Sequence, residues 1–254
     1  NGGAESVLSC LCVHDDEVEH VVVSLMDEGK SGPMLAEAGV RVHCMGLTRR
    51  GPSFSAFLRL WGVIRRERPS VVQTWMYHAD LIGGVVARLA GCDHVVWGIR
   101  HSTFVQGHSS ARTMQIARVC ARLSRVIPRT IVACAHAAAR VHVAMGYDGR
   151  RMTVVPNGYD LERLRPDVDR AGPLRREWGV PDGVPLIGMV GRFDPQKNHT
   201  GLLTALSKLR RDGREFRVAL IGPGVCEENE SVVSVVHDQG LQDRVVLLGA
   251  RSDI

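Results

Sequence analysis

Short runs of apolar, mostly β-branched residues alternate along this chain with segments of helical periodicity. The first part of the chain has such runs at residues 20–25, 40–45, 70–75, 94–99, 130–134 and 152–155. Continuous apolar runs of this length are typical of strands buried on both faces of a parallel sheet. Helical patterns lie between them, with candidates at 54–69, 79–90 and 110–126. The alternation predicts βαβ units and an α/β fold.

The composition changes at about residue 156. Residues 156–185 are rich in proline and glycine, which predicts a linker with one short helix at 174–178. The earlier rhythm then returns, with predicted strands at 186–190, 216–221 and 244–248 and helices at 199–212 and 230–239. We therefore expect two α/β domains, at 1–158 and 185–254, joined by a linker at 159–184.

Composition excludes several classes of protein. No apolar run approaches the roughly 18 residues that a membrane-spanning helix needs. The seven cysteines lack C-x-x-C spacing, so we expect free thiols and a cytoplasmic location. The net charge of +5 is mild, and no segment interleaves aromatic and basic residues as a nucleic-acid surface does. The arginine clusters 49–50 and 65–68 either contact acidic lipid headgroups at the inner membrane surface or form solvated helix ends.

The most informative stretch begins at Leu186 and places two cations between a buried strand and a helix. Arg192 and Lys197 follow Gly191, directly before the helical pattern at 199–212. A helix N-terminus already carries partial positive charge from its unpaired N–H groups. Two more cations at that position indicate a strongly negative ligand, and a phosphate fits best. The alternative is a solvated turn with two unrelated surface cations.

Glycines mark two further places where a ligand could approach the backbone. Gly2 and Gly3 precede a helix that begins near Ala4, and Gly222 follows the strand at 216–221. Glycine allows close approach of a phosphate to backbone N–H groups, although each of these glycines could also serve only to turn the chain.

Polar residues follow two strands of the first domain. Arg100 and His101 come directly after the strand at 94–99, and His78 follows the strand at 70–75. In open α/β sheets the carboxyl ends of the strands form the edge at which ligands bind. The alternative for the histidines is an ordinary surface position.

Several other catalytic motifs are absent. The chain contains no G-x-G-x-x-G, no P-loop, no H-E-x-x-H and no G-x-S-x-G. The D-x-D at 167–169 lies in the Pro/Arg-rich segment and not after an apolar strand, so we interpret it as solvated charge and expect no metal site.

Together these residues resemble the family 4 retaining glycosyltransferases. The similarity lies in GGAE at 2–5, VVPNGYDLERLRP at 154–166, VGRFDPQKN at 190–198, LIGPG at 220–224 and VVLLGARSDI at 245–254. The Pro-Asn-Gly and the Gly-Arg-x-x-x-x-Lys pattern are the most specific of these. The resemblance implies the GT-B fold, in which two Rossmann-like parallel-sheet domains face a cleft.

The same resemblance assigns roles. It implies transfer of a hexose from a UDP- or GDP-sugar to a glycan or lipid-linked acceptor in envelope or exopolysaccharide synthesis, with no cofactor. Arg192 and Lys197 would stabilise the departing nucleoside diphosphate, and Gly2, Gly3 and Gly222 would approach its phosphates. His101 would lie near the sugar as a third catalytic residue. His78 and Arg100 would border the acceptor side.

The chain departs from the family pattern in two respects. The resemblance implies an E-x-x-x-x-x-x-x-E carboxylate pair beyond Ile254 and a first strand of the first domain before residue 1, and the given sequence contains neither. We therefore expect a fragment, truncated in its second domain, with little or no activity. Two alternatives stay open: a GT-B nucleotide-sugar 2-epimerase, and a non-catalytic nucleotide-binding module.

Overall fold

The computed structural model describes residues 3–47, 54–100, 110–162 and 164–251. The chain divides into two compact units, at residues 1–159 and 160–254. All strand pairs of both units are parallel over the described residues. The α/β architecture predicted from the apolar runs is therefore confirmed.

The first unit contains two sheets among its described residues. The smaller sheet pairs β1 (Val21–Ser24) with β2 (Arg41–Cys44), and the larger has the order β3-β4-β5-β6. The larger sheet comprises β3 (Val72–Trp75), β4 (Val95–Ile99), β5 (Thr130–Ala133) and β6 (Met152–Val154). Each of these strands lies within one of the predicted apolar runs.

Six α-helices in the described part of this unit connect or precede these strands. They are α1 (Gly3–His14), α2 (Ser31–Glu37), α3 (Phe54–Glu67), α4 (Tyr77–Leu89), α5 (Ala111–Leu123) and α6 (His136–Ala144). The helices α2 and α6 were not predicted. Both are short, α2 contains Pro33, and α6 has too few large apolar side chains to show a period. Their helical state therefore depends on tertiary packing.

The core of the first unit lies between the larger sheet and its helices. Trp97, Ile99 and Ile131 from β4 and β5 are fully or almost fully buried and pack with Val86 of α4. The strand β4 is buried along most of its length. This burial fixes the carboxyl end of β4, from which Arg100 extends.

The second unit has a sheet of order β7-β8-β9. Its elements are α7 (Val168–Glu177), β7 (Leu186–Val190), α8 (His199–Arg211), β8 (Arg217–Ile221), α9 (Glu230–Asp238) and β9 (Val245–Leu247). Leu203 and Leu206 of α8 pack on Val218 and Leu220 of β8, which forms the core of this unit. The helical pattern at 199–212 thus buries Leu203 and Leu206 as periodicity predicts, whereas Leu209 is exposed.

The helix α7 begins six residues earlier than the short helix expected at 174–178. Asp167 caps it, because its carboxylate accepts from the backbone N–H groups of Asp169 and Arg170 at 3.1 and 3.0 Å. Pro173 lies inside the helix. At its other end, Glu177 accepts a hydrogen bond of 3.1 Å from Arg251, whose guanidinium lies 5.7 Å from the Trp178 ring. One residue of the D-x-D is therefore a helix cap.

Candidate functional site

The cations Arg192 and Lys197 lie in the loop that joins β7 to α8. Asp194 orders this loop: its carboxylate accepts from the backbone N–H of Gln196 at 2.9 Å, which begins a single 3₁₀ turn at Pro195–Lys197. Asn198 then adopts the left-handed conformation (φ 57°) and caps α8 by accepting from the N–H of Gly201 at 3.1 Å. The loop therefore delivers both cations to the N-terminus of a helix.

Gly222 packs against the first peptide of this loop. The N–H of Gly191 donates to Ile221 at 2.7 Å, and the N–H of Phe193 donates to Pro223 at 2.8 Å. A Cβ atom on Gly222 would overlap the carbonyl of Gly191 and lie 2.9 Å from the backbone nitrogen of Arg192. Only glycine fits there, and its φ of 147° also lies in the region that favours glycine.

The two cations differ in their surroundings. Arg192 has a side chain that is 58% exposed and pairs through Nε with Asp194 at 3.3 Å, an exposed pair that contributes little to stability. Lys197 lays its stem over Gly191, since a Cβ on that glycine would lie 3.4 Å from the Cγ of Lys197. No salt bridge of Lys197 occurs among the described residues. Both charged groups can therefore turn to a ligand.

His199 is the first residue of α8 and was not singled out from the sequence. Its side chain is buried, and the Phe193 ring lies 5.4 Å away. Burial lowers the pKa of His199, a hydrogen-bonding contact with the backbone of Gly191 raises it, and the charge of Lys197 lowers it. The only sequence signal is its place directly after the Lys-Asn of the motif.

Arg100 is held by two side-chain contacts at the carboxyl end of β4. Its guanidinium lies 3.6 Å from the centroid of the Trp75 ring, and Nη1 donates to the Asn157 side chain at 2.9 Å. Its Nε is buried and has no partner within the described residues. Burial lowers the pKa of Arg100, while the nearby Cys134 opposes this. A planar cation fixed in this way could hold an anionic or hydroxyl group.

His78 lies in the first turn of α4, after β3, which is the neighbour of β4. Burial and the charge of Arg112 both lower the pKa of His78, so the neutral imidazole prevails at neutral pH. The residue before α4, Met76, has φ 77° and ψ 153°, a strained backbone conformation for a side chain of this kind. His78 and Arg100 thus follow adjacent strands at one edge of the sheet.

The glycine pair and the histidine next to Arg100 are only partly described. Gly3 begins α1, and a Cβ added to it would meet nothing within 4 Å. Gly2 and His101 lie outside the described residues, as do Arg49 and Arg50. The structure therefore brings together Arg192, Lys197 and Gly222 in the second unit. In the first unit, His78 and Arg100 follow adjacent strands of one sheet.

Two family models match the chain. The model of glycosyltransferase family 4 covers residues 1–163, and the model of glycosyl transferases group 1 covers residues 172–254. The chain belongs to glycosyltransferase family 4.

The relatives of this family-4 chain include glycosyltransferases that, by their names, act on different acceptors. D-inositol 3-phosphate glycosyltransferase of Nocardia farcinica is 29% identical over 163 residues, which are 61% of this chain and 35% of that protein. The UDP-Gal:alpha-D-GlcNAc-diphosphoundecaprenol alpha-1,3-galactosyltransferase of Escherichia coli is 24% identical over 203 residues, which are 78% of this chain and 52% of that protein. The chain thus spans about half or less of the length of these curated relatives.

Solved structures support the GT-B fold of the family. Anabaena HepE in complex with UDP-glucose has a TM-score of 0.78 at 19% identity, with 100% of this chain and 67% of that one covered. The TM-score is only 0.53, at 13% identity, for a putative UDP-N-acetylglucosamine 2-epimerase of Listeria monocytogenes. That comparison covers 98% of this chain and 67% of the Listeria chain. The fold expectation is confirmed, and the epimerase alternative has less support.

Three further side chains near these strand ends had no role predicted from the sequence. Asn157 belongs to the recognised Pro-Asn-Gly, but its role as acceptor for Arg100 follows only from the structure. Trp75 ends β3, where an aromatic residue suggests core packing and not a platform for a cation. Asp80 of α4 is fully buried and accepts a hydrogen bond of 2.6 Å from Thr74.

Proposed function

We propose that the full-length protein is a retaining hexosyltransferase that uses a UDP- or GDP-sugar as donor and a glycan or lipid-linked molecule as acceptor. The observation that carries the proposal is the packing of the Gly191–Arg192 peptide against Gly222, with the Lys197 stem over Gly191. This arrangement collects two cations and a helix N-terminus at the carboxyl ends of neighbouring strands. A diphosphate is the anion that such a site fits best.

The chemical contribution of this site is electrostatic. When the bond between the sugar and the diphosphate breaks, negative charge develops on the departing phosphate. Arg192 and Lys197 stabilise that charge and so lower the barrier to leaving-group loss. No general acid is needed for a diphosphate to leave. His101 is proposed to act beside the sugar, and His78 and Arg100 to border the acceptor.

Several similarities support the choice of substrates. The Escherichia coli relative acts, by its name, on a lipid-linked acceptor with a UDP-sugar, and the Anabaena neighbour binds UDP-glucose. The seven cysteines are all free thiols, which agrees with the proposed cytoplasmic location. Envelope or exopolysaccharide synthesis is the proposed setting.

The test of the donor site is nucleotide binding by the full-length protein. The double variant Arg192→Ala with Lys197→Ala is expected to weaken UDP or GDP binding at least about tenfold, since two charge-assisted hydrogen bonds are lost. Lys208→Ala with Arg211→Ala, at the opposite end of α8, removes the same charge and serves as the control. Equal affinity of the two double variants would exclude the phosphate site.

A transfer assay then separates an enzyme from a binding module. Purified full-length protein is incubated with a UDP- or GDP-sugar and a lipid-linked acceptor, and the product is analysed for the new glycosidic bond and its anomeric configuration. Transfer with retention supports the proposal. Binding of nucleotide without transfer or hydrolysis would favour the non-catalytic module.

We also propose peripheral contact with the inner membrane surface through α3. Phe54, Leu58 and Trp61 are 77%, 48% and 39% exposed and lie on one face of the helix at i, i+4 and i+7. Arg65 extends this face, with its guanidinium 5.6 Å from the Trp61 ring. No helix of the described residues is long and apolar enough to cross a bilayer. An apolar stripe with an adjacent cation suits a helix that lies in the interface.

Vesicle flotation tests this contact. The variant Leu58→Ser with Trp61→Ser is expected to lose binding to vesicles that contain anionic phospholipid. Val119→Ser with Val126→Ser alters two exposed apolar residues on or just after α5 and is the control. Equal flotation of both variants would remove α3 as the contact surface.

A further inference from the structure

His199 has an unusual environment for a buried histidine. His199 is 2% exposed, and neither ring nitrogen has a hydrogen-bond partner of normal geometry within the described residues. A buried polar atom without a hydrogen-bond partner destabilises the folded state. Because folded proteins satisfy nearly all such atoms, an unsatisfied ring at this place requires a reason.

The ring lies beside the loop that carries the two cations. The ring of Phe193 is 5.4 Å away, with an angle of 55° between the planes. A hydrogen-bonding contact with the backbone of Gly191 raises the pKa of His199, and the charge of Lys197 lowers it. His199 therefore lies near three residues of the loop: Gly191 at its start, Phe193 in its middle and Lys197 near its end.

The beginning of the loop is held from another direction by Gly222. The Gly191–Arg192 peptide packs on the Cα of Gly222, and hydrogen bonds from Gly191 and Phe193 fix it to the segment after β8. The contact between the His199 ring and the backbone of Gly191 falls short of the geometry of a normal hydrogen bond. The Gly191 carbonyl and the imidazole of His199 are therefore complementary groups in close proximity.

We propose that His199 is a positioning residue for the donor diphosphate, an inference that rests on the proposed function. The ring N–H of His199 that faces the Gly191 carbonyl makes a full hydrogen bond to it when phosphate engages Arg192 and Lys197, and this bond fixes the peptide from which Arg192 extends. The neutral imidazole has one N–H donor, which is sufficient for this role. The ring does not touch the phosphate.

The deciding variant is His199→Phe, studied in the full-length protein. Phenylalanine keeps a planar ring against Phe193 but has no N–H, and it removes the unsatisfied nitrogens. We therefore expect a Tm that is equal to or higher than that of the parent, together with UDP or GDP binding weakened about five- to tenfold, the loss of one hydrogen bond. A merely structural histidine would give the opposite pattern, a changed Tm with unchanged affinity.

Conservative variants supply a second measurement. His199→Asn and His199→Gln each place an amide N–H near the position of one ring nitrogen, and one of them is expected to recover most of the affinity. His237→Phe, on the exposed part of α9, is the control and is expected to bind nucleotide as the parent does. If His199→Phe does not fold, loss of affinity in both amide variants at parental Tm still overturns the proposed hydrogen bond.

The outcomes distinguish this inference from the proposed function. If Arg192→Ala with Lys197→Ala loses nucleotide binding while His199→Phe binds normally, only the positioning role of His199 fails. If the double variant also binds normally, the phosphate site itself is wrong.

Discussion

The guanidinium of Arg100 lies 3.6 Å from the centroid of the Trp75 ring while its Nη1 donates to the side chain of Asn157 at 2.9 Å. Three strands meet in this contact, because Trp75 ends β3, Arg100 follows β4 and Asn157 lies shortly after β6. The cation–π contact holds the guanidinium plane, and the amide oxygen sets its rotation. Arg100 is thus oriented before any substrate arrives.

Arg100→Lys is expected to lower the transfer rate about tenfold or more without weakening nucleotide binding. Lysine keeps the charge, but it lacks the planar fork that stacks on Trp75 and reaches Asn157. Steady-state kinetics with varied acceptor, combined with UDP or GDP titration, measures both effects.

Arg88→Lys is the control for this change. Arg88 lies in the last turn of α4, far along the helix from the strand ends, and pairs with the exposed Asp93 at 2.8 Å. It is expected to leave both quantities unchanged. A parental transfer rate for Arg100→Lys would contradict an acceptor-side role.

Gly222→Ala is expected to abolish nucleotide binding and to lower the free energy of unfolding by about 1–3 kcal/mol. The added Cβ overlaps the Gly191 carbonyl and so displaces the peptide that carries Arg192. Isothermal titration with UDP or GDP and urea denaturation check the two effects.

Gly213→Ala is the control for this change, because it strains the backbone conformation of a glycine without a steric clash. Gly213 has φ 72°, and a Cβ there would meet nothing within 4 Å. Its variant is expected to lose some stability but no affinity. If Gly222→Ala behaves in the same way, the close approach has no functional importance.

Asp80 is expected to make the first unit less stable as the pH rises. Burial raises the pKa of its carboxyl to about 8, although hydrogen bonds from Thr74 and the backbone of Gly98 oppose the shift. The folded chain therefore retains a proton that the unfolded chain releases at about pH 4. The stability from this group is complete below that pH and is lost as the pH rises through about 8.

Asp80→Asn removes this titration while it keeps the acceptor for Thr74. Between about pH 5 and about pH 8, the free energy of unfolding of the variant is expected to fall less than that of the parent, by about 1 kcal/mol or more. Trp97 is buried in the same unit and reports unfolding by its fluorescence. Asp93→Asn, at an exposed ion pair, is the control; parallel pH profiles for all three proteins would disprove a proton on Asp80.

Loss of the buried hydrogen bond between Tyr77 and His142 is expected to destabilise the first unit. His142 lies 2.7 Å from the Ala138 carbonyl through Nδ1, which must donate, so Nε2 accepts from the Tyr77 hydroxyl at 2.7 Å. Tyr77→Phe removes that donor and is expected to cost about 1–3 kcal/mol of stability. Urea denaturation measures it, with Tyr159→Phe as the exposed control. Unchanged stability would contradict this assignment of the tautomer.

Much of the fold could be predicted because local patterns determine it. Apolar runs marked each strand that the structure contains, and the leucine face of α8 was evident from its period. The short helices α2 and α6 could not be predicted, since helices of that length gain most of their stability from tertiary packing. The start of α7 depended on the Asp167 cap, whose hydrogen bonds compete with the turn tendency of the surrounding residues.

The candidate site could likewise be predicted only in part from the sequence. The sequence by itself determined the α/β class, the family, and the pair of cations before a helix, because these depend on residue types at fixed short spacings. Only the tertiary structure placed Gly222 against Gly191, buried His199 and stacked Arg100 on Trp75. The pairing of Val190 with Ile221 and of Trp75 with Gly98 brings these distant segments together, and strand register is a property of the whole packed sheet that no short stretch encodes.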